Sequence, residues 1–454
     1  MKITRHYLTI NGRRVHYRRA GKGPPLLMVH QSPRSSSEYE PLMQEWGARF
    51  TCIAPDLPGF GHSEPLGIAN LTIEDIADSL MAFVDALGIG PVPAYGFHTG
   101  AIVLMSAVRR FPEKFTALSA VGYPIFNEQE REILGDAYIP PNPAKPFGEH
   151  LVWMWNRILE QSWYFPWYRQ DPKTRMPFAH DNPELVALIV DDMLNCNDAY
   201  RFGYRAAIEA QNDIPAADAE APPALLNGYV GDPLTVHMER TGLLPKGWHK
   251  STQANPLEQR AASLDFLLTQ RAGDEAGPLP EDGHQGFLPV KTPLFEGLIH
   301  WRASGDPKRL HIHAPGKELG MADVSDAIEI DMPGHGLADK WKGAAPADWH
   351  AWQDVIDAVA AHFGIAKTSF DPPAKGDIDR LYPDLSPSRF GHHLTEAWGI
   401  VRAAHIFEPW YEANAAYAVD FDPSDLEPER LVIEHRALIR AVSAKQLAMA
   451  LSNK

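Results

Sequence analysis

Cysteine is almost absent from this chain of 454 residues, which contains only Cys52 and Cys196. Two cysteines cannot build a disulfide framework, so the composition fits a reducing compartment. Long apolar runs are also missing, since no stretch of about 18 apolar residues occurs that could span a membrane. No apolar segment follows the first six residues, and a signal peptide is therefore not expected. We predict a soluble, cytoplasmic protein without a membrane partner.

Basic residues are scarce as well. The chain has 42 Lys and Arg against 58 Asp and Glu, and its net charge is -16. Binding to nucleic acid depends on clustered Lys and Arg that neutralise phosphates, so nucleic acid is not an expected partner. Glycine-rich phosphate motifs of the GxGxxG or GxxxxGK type are missing too. No nucleotide or other cofactor is expected.

Histidine, in contrast, occurs 20 times, and some of these residues are adjacent or alternate. The pairs are His311 with His313 and His392 with His393. They lie in strand-like or helix-start contexts, without Cys or carboxylate residues at the spacing that metal ligands show. The sequence therefore predicts no metal site.

The length exceeds the roughly 250 to 300 residues at which a single core stops growing, so two units or one enlarged unit are expected. The first part alternates apolar strands with a helical pattern from Leu71 to Leu87, for which Thr72 is placed as the N-cap. Val15–Arg18, after the turn Asn11-Gly12, indicates an antiparallel hairpin at the sheet edge. The alternation of strands and helices along the first part predicts a parallel sheet with helices on both faces. The predicted inner strands are 26–30, 50–55, 92–95, 117–121 and 223–230.

Three polar motifs follow successive strands of this pattern. They are His30-Gln31-Ser32-Pro33, then Pro55-Asp56-Leu57-Pro58-Gly59-Phe60-Gly61-His62-Ser63, then Gly96-Phe97-His98-Thr99-Gly100-Ala101. Together they resemble the α/β-hydrolase superfamily, particularly its branch of small-molecule esterases, haloalkane dehalogenases, epoxide hydrolases and C–C hydrolases. The resemblance implies an α/β-hydrolase fold, with a mostly parallel sheet and a helical cap.

The resemblance also implies a division of the first part of the chain. The hydrolase core takes residues 1–126 and 215–272, and the helical cap takes residues 127–214. The cap segment is rich in tryptophan. Most of these aromatic side chains are expected to pack the cap, while Trp155 and Trp163 are candidates to line an apolar pocket for a small-molecule substrate.

Histidine stands where this superfamily keeps its nucleophile, at His98. Gly96 and Gly100 let the backbone turn sharply there, so the side chain projects into a pocket. By the resemblance, the backbone N–H groups of Thr99 and Ser32 form the oxyanion hole. The imidazole has three open roles: a covalent nucleophile, a general base, or an inert group in a binding protein.

The partners of His98 are predicted less directly. Asp232 follows the strand at 223–230 and resembles the acid of the family, which would orient a histidine tautomer, although an Asp-Pro turn is the structural alternative. His249 is favoured as a partner histidine because its loop would come after the last strand. His237 lies closer to Asp232 in the chain and stays an alternative.

The second half echoes the first. Leu298–Arg302 resembles the strand Val15–Arg18, and residues 390–411 match residues 147–168 without a gap. We predict a degenerate hydrolase-like half at 284–366 and a second cap-like helical region at 367–454. Between Phe363 and Leu381 only a linker is expected, so this copy lacks the sharp strand-to-helix turn that carries His98 in the first part. Its open roles are to stabilise the protein, to cover the site, or to form a homodimer.

These features favour a cofactor-independent enzyme that hydrolyses a small, partly apolar ester, lactone or β-diketone, with His98 as base or nucleophile. Two alternatives stay open. One is a noncatalytic ligand-binding or interaction protein. The other is a lyase, isomerase or oxygenase that uses the same oxyanion hole.

Overall fold

The computed structural model describes residues 1–270, 277 and 282–454. The chain divides into two compact units, as its length predicts. One comprises Met1–Asn142 and Arg157–Glu281, and the other comprises Pro143–Asn156 and Asp282–Lys454. The predicted core boundary at residue 272 lies outside the described residues. Within the described ranges, no helix combines the length and the apolar character needed to cross a bilayer.

The first unit is built on a sheet to which its described residues contribute eight strands, in the spatial order β1-β2-β4-β3-β5-β6-β7-β8. β1 pairs antiparallel with β2 and β2 with β4, while all pairs from β4 to β8 are parallel. This mostly parallel sheet confirms the predicted α/β architecture. The strands are β1 (Ile3–Ile10), β2 (Arg13–Gly21), β3 (Pro25–Val29), β4 (Thr51–Pro55), β5 (Val92–Phe97), β6 (Phe115–Val121), β7 (Ala224–Tyr229) and β8 (Trp248–Gln253).

The local sequence accounts for these strands. Asn11 and Gly12 both have positive φ, 51° and 77°, as a two-residue hairpin turn between right-twisted strands requires. Every residue of β3 and β4 is buried, which explains why these strands are continuous apolar runs rather than alternating ones.

Helices follow the strands in the order that a parallel sheet needs. Thr72 caps α2, as predicted, and the structure shows that it does so through a capping box with Asp75. α4 to α7 come between β6 and β7 in the chain, where the sequence predicts a helical insertion. The helices are α1 (Glu40–Trp46), α2 (Ile73–Leu87), α3 (Thr99–Arg110), α4 (Glu128–Ile133), α5 (Glu149–Gln161), α6 (Pro183–Cys196), α7 (Tyr200–Glu209) and α8 (Pro256–Thr269).

The second unit has its own sheet, with the described strands in the order β13-β11-β12-β10-β9. β9 and β12 pair antiparallel with β10, whereas β11 pairs parallel with β12 and β13. Trp352, Ile299 and Leu310 belong to its apolar core. The strands are β9 (Gln285–Lys291), β10 (Glu296–Ser304), β11 (Arg309–Ile312), β12 (Ala327–Ile330) and β13 (Thr368–Phe370). The helices are α9 (Trp349–Phe363), α10 (Ile378–Leu381), α11 (His392–Ala404), α12 (Pro428–Arg440) and α13 (Ala444–Ser452).

β13 corrects one prediction. The segment between Phe363 and Leu381 contains a short parallel strand in addition to the linker. Three residues are too few to show either alternation or a continuous apolar run, so the sequence gives no strand signal there.

Candidate active site

A sharp bend joins β5 to α3, and His98 is the residue at the bend. Its φ is 48° and its ψ is -109°, a conformation that L side chains rarely adopt. Such a conformation costs of order 1–3 kcal/mol, and strained residues of this kind cluster at functional sites. Backbone hydrogen bonds hold the bend, since the His98 N–H donates to Val121 O over 2.9 Å and the Ile102 N–H donates to His98 O over 3.1 Å.

The glycines on each side of the bend are sterically required. A Cβ atom on Gly96 would lie 2.6 Å from the carbonyl carbon of Gly100. A Cβ atom on Gly100 would overlap the carbonyl oxygen of Val29 and lie 2.9 Å from that of His30. The strand, the helix and the loop after β3 therefore approach one another as closely as backbone allows.

The imidazole of His98 meets the carboxylate of Asp232, which follows β7. Nε2 lies 3.1 Å from both Oδ1 and Oδ2. An ionised carboxylate can only accept hydrogen bonds, so Nε2 carries the proton, and in the neutral ring Nδ1 holds the lone pair. The His98 side chain is 20% exposed, whereas that of Asp232 is only 1% exposed.

The environment of Asp232 keeps it ionised. Burial alone would raise the pKa of this carboxyl. Two interactions lower this pKa: the charge and hydrogen bond of His98, and the Leu234 N–H, which donates to Oδ1 over 3.0 Å. The pKa of Asp232 therefore lies below its ordinary value. A negative charge therefore faces the ring, where it fixes the tautomer and favours an imidazolium when the ring takes up a proton.

Two further groups shape this His–Asp pair. The ring of Phe97 stacks on the His98 ring, with 3.9 Å between centroids and 19° between planes. Gly122, which follows β6, has φ 56°, and a Cβ atom there would lie 2.5 Å from Cδ2 of His98 and 2.7 Å from Oδ2 of Asp232. Sequence reasoning did not single out either residue, although a glycine directly after a buried strand is a signal of close approach.

The predicted oxyanion-hole residues lie in the two segments that Gly100 brings together. Thr99 is the first residue of α3, so its N–H belongs to the free donors at a helix N-terminus, where the dipole favours negative charge. Ser32 lies in the loop after β3, the parallel neighbour of β5. Its side chain is buried, and its hydroxyl has no hydrogen-bond partner in the part of the chain that the structure describes.

His249 is not brought to His98, which corrects the prediction. It lies within β8 rather than in a loop after it, pairs with Leu225 near the start of β7, and is exposed. Asp232 follows the opposite end of β7. Because strands rise about 3.3 Å per residue, the length of β7 separates His249 from the carboxyl end of the sheet.

His237 is buried near the site but is engaged elsewhere. Its Nδ1 accepts a hydrogen bond from the Ile125 N–H over 3.0 Å, and its Nε2 lies 3.6 Å from Oε1 of Glu130. Burial lowers the pKa of His237 below its ordinary value, so the ring is neutral, as its acceptor role requires. Of the predicted polar partners, Asp232 alone is recorded in contact with the His98 ring among the described residues.

The two candidate pocket tryptophans are both held by hydrogen bonds to backbone. Trp155 is fully buried in the second unit, where its Nε1 donates to Arg389 O over 2.9 Å. Trp163 is partly buried in the first unit, where its Nε1 donates to His180 O over 2.7 Å. Trp155 is thus a packing residue of the second unit, contrary to its predicted role as a substrate contact.

Comparison with known proteins gives a family match over part of the chain and relatives that align over about 100 to 120 residues. Residues 24–168 match the family model described as alpha/beta hydrolase fold. A soluble epoxide hydrolase of Corynebacterium sp. is 36% identical over 102 residues, which are 22% of this chain and 35% of the relative. A cis-3-alkyl-4-alkyloxetan-2-one decarboxylase of Shewanella oneidensis is 32% identical over 121 residues, 26% of this chain and 38% of that protein.

Among solved structures, epoxide hydrolase A from Mycobacterium thermoresistibile aligns with 61% of this chain and 100% of its own, at 19% identity and a TM-score of 0.47. The chain spans only 35% to 38% of the length of the curated relatives named above. The family match and these relatives support placing the matched part of the chain in the α/β-hydrolase superfamily.

Proposed function

We propose that the first unit is a cofactor-independent enzyme of the α/β-hydrolase type that hydrolyses a small, partly apolar ester, lactone or β-diketone. The observation that carries the proposal is the strained bend that presents His98, with Nε2 at 3.1 Å from both oxygens of a buried, ionised carboxylate. A positioned imidazole with a fixed tautomer is the common general base of enzymes at neutral pH.

In the proposed reaction, Nδ1 of His98 takes a proton from water as the water oxygen attacks the carbonyl carbon. The carbonyl electron pair moves to oxygen, and the N–H groups of Thr99 and Ser32 stabilise the negative charge. When the carbon–leaving group bond breaks, the leaving group receives the proton from Nδ1. Asp232 stabilises the imidazolium between the two steps.

The base role is favoured over the nucleophilic role by the residues around the ring. Base catalysis needs one imidazole, which the bend supplies. A covalent acyl-imidazole would require a further group to activate the water that releases it, and the predicted candidate His249 lies within β8 at a distance from the bend. The oxetan-2-one in the name of one relative is a four-membered cyclic ester, which makes lactones a first choice of substrate for testing.

The test compares the whole protein with His98→Ala and Asp232→Asn on a panel of small esters, lactones and β-diketones. Loss of a general base lowers the catalytic rate by about 10²- to 10⁴-fold. Loss of a carboxylate that holds the tautomer lowers it by up to about 10⁴-fold. His249→Ala is the matched control and should retain activity. An acyl adduct on His98, detected by mass spectrometry, would establish the nucleophilic role instead. Saturable binding of a panel compound without turnover would favour the noncatalytic alternative.

We also infer that the second unit is a degenerate copy of the same fold, with a core at residues 284–366 and a cap-like region at 367–454. The order β9-β10-β12-β11-β13 repeats the order β1-β2-β4-β3-β5, with the same parallel and antiparallel pairs. Each unit also has a buried His–Asp pair between corresponding strands: His16 Nδ1 lies 2.8 Å from Asp56, and His300 Nδ1 lies 2.8 Å from Asp331.

The cap segments support the same inference, because α5 and α11 start and end at equivalent positions of the gapless match. Within the second unit the two segments contact each other reciprocally. Trp155 Nε1 donates to Arg389 O over 2.9 Å, and its counterpart Trp398 donates to Pro146 O over 3.1 Å. Gly391 packs on the Trp155 ring, and Gly148 packs on the Trp398 ring.

A further inference from the structure

Two histidines and an aspartate meet at the carboxyl end of the parallel strands β11 and β13 in the second unit. His311 is on β11, His313 follows it, and Asp371 directly follows β13, 58 residues further along the chain. One ligand atom from each residue lies within 4.8 Å of the others. Ligands of open α/β sheets bind at the carboxyl ends of strands.

The sheet register explains the meeting. Side chains two residues apart on a strand share a face, so His311 and His313 point to the same side. β11 pairs His311 with Ser369 on β13 and with Glu329 on β12. The intervening residue Ile312 belongs instead to the apolar core. One face of these strands is therefore polar while the other is packed.

Each of the two histidines has one ring nitrogen close to Asp371, which we call the inner nitrogen, and one that contacts another side chain, which we call the outer nitrogen. Nε2 of His311 lies 3.1 Å from Oδ1 of Asp371, and Nδ1 of His313 lies 3.2 Å from Oδ2. A tetrahedral ion with bonds of about 2.0–2.1 Å holds its ligand atoms about 3.3 Å apart, close to these separations. The His311 nitrogen is buried and has no hydrogen-bond partner of good geometry among the described residues.

The outer nitrogens are already oriented. Nδ1 of His311 lies 3.1 Å from the Ser369 hydroxyl, and Nε2 of His313 lies 3.1 Å from Oε2 of the buried Glu329. Glu329 in turn accepts hydrogen bonds from Arg302 over 2.6 Å and from the Gly320 N–H over 2.9 Å. A metal-binding histidine usually donates its other N–H to a carboxylate or another acceptor, which fixes the tautomer that binds metal.

We propose that His311, His313 and Asp371 bind a divalent transition metal ion of the zinc class. Two imidazoles and a carboxylate suit such an ion, and three protein ligands leave one coordination position for water or a small ligand. The Asp371 side chain is 29% exposed, so the cluster is accessible from solvent. The proposal departs from the sequence prediction of no metal site. That prediction rested on the lack of a carboxylate at ligand spacing, and Asp371 is distant from both histidines in the chain.

The experiment measures binding directly and does not depend on the reaction proposed for the first unit. The full chain is treated with a chelator, desalted and titrated with Zn²⁺ by calorimetry. Cobalt(II) serves as a second probe, because its visible bands report the coordination number. We expect one ion per chain at the cluster, and a four- or five-coordinate cobalt spectrum.

Asp371→Asn and His313→Ala should weaken zinc binding by at least about 100-fold, because loss of an outer partner alone costs about 10- to 100-fold. Ser369→Ala should weaken it by about tenfold for that reason. The matched controls are the substitutions Asp323→Asn and His350→Ala at exposed positions. Both variants should bind zinc with the affinity of the parent protein. Circular dichroism identifies the variants that fold. If His313→Ala does not fold, Asp371→Asn still tests the cluster, because Asp371 lies in a partly exposed loop.

Two results would overturn the proposal. One is a folded parent protein that takes up less than a stoichiometric equivalent of both ions. The other is a folded Asp371→Asn protein with undiminished affinity, which would mean that the ion binds elsewhere and that the cluster is held by hydrogen bonds alone.

Discussion

Gly122 offers the sharpest test of the His98–Asp232 pair, because it supports the pair without supplying a reacting group. In Gly122→Ala the new Cβ atom would lie 2.5 Å from Cδ2 and 2.8 Å from Nε2 of His98, and 2.7 Å from Oδ2 of Asp232. Real Cβ atoms essentially never show such separations, so the ring or the carboxylate must move. A misplacement of about 1 Å at a reacting group costs about 100-fold in rate.

The backbone adds a second, separable cost. Gly122 has φ 56°, and a left-handed conformation costs a non-glycine residue roughly 1–2 kcal/mol. Gly88 is the matched control, since its φ is 63° and a Cβ atom there would meet nothing within 4 Å. Both alanine variants should lose at least about 1–2 kcal/mol of unfolding free energy in urea, because both residues have a left-handed backbone. Only Gly122→Ala, whose Cβ atom also meets the His98–Asp232 pair, should lose about 100-fold in kcat/KM on the best panel substrate.

The comparison refutes the reasoning in either of two ways. A folded Gly122→Ala enzyme with parental kcat/KM would show that the alignment of His98 with Asp232 does not control the rate. An equal loss of kcat/KM in Gly88→Ala would show that lower stability, rather than displacement of the pair, reduces activity.

Two further predictions concern stability. His335 and His435 are buried, and burial lowers their pKa to about 4 and about 3, so below about pH 6.5 the unfolded chain binds more protons than the folded one. Stability should thus be lost on acidification, by about 2 kcal/mol per histidine at pH 5, and His435→Gln should show a shallower loss in urea unfolding between pH 7 and pH 5. Trp155→Ala should lower the free energy of unfolding by about 3–5 kcal/mol, measured by thermal unfolding, because the ring is fully buried. Trp163→Ala should lower it clearly less, because Trp163 is only partly buried. Equal losses would contradict this account of their packing.

Much of the first unit was predictable because its signals are local. The apolar runs of β3 and β4 reflect burial on both faces, and the cap at Thr72 marks the start of α2. The bend at His98 was predictable for the same reason, since flanking glycines are needed wherever backbone segments approach closely.

The features that the sequence did not reveal have a common physical cause. Strands pair through backbone hydrogen bonds, which place few requirements on the types of side chain. β8 is an edge strand of the described sheet, and Trp248 is its one buried residue. His249 therefore looked like a loop residue. The partnership of His311 with Asp371 depends on the register of β11 against β13, which no spacing along the chain reports.

The reciprocal tryptophan contacts have a consequence for how the second unit responds to dilution. A self-complementary contact between two molecules is subject to mass action and weakens as the protein becomes scarce. Here Trp155 and Trp398 belong to one polypeptide, so each side meets the other at a fixed effective concentration. Because both segments lie in the same chain, this contact does not depend on the expression level of the protein.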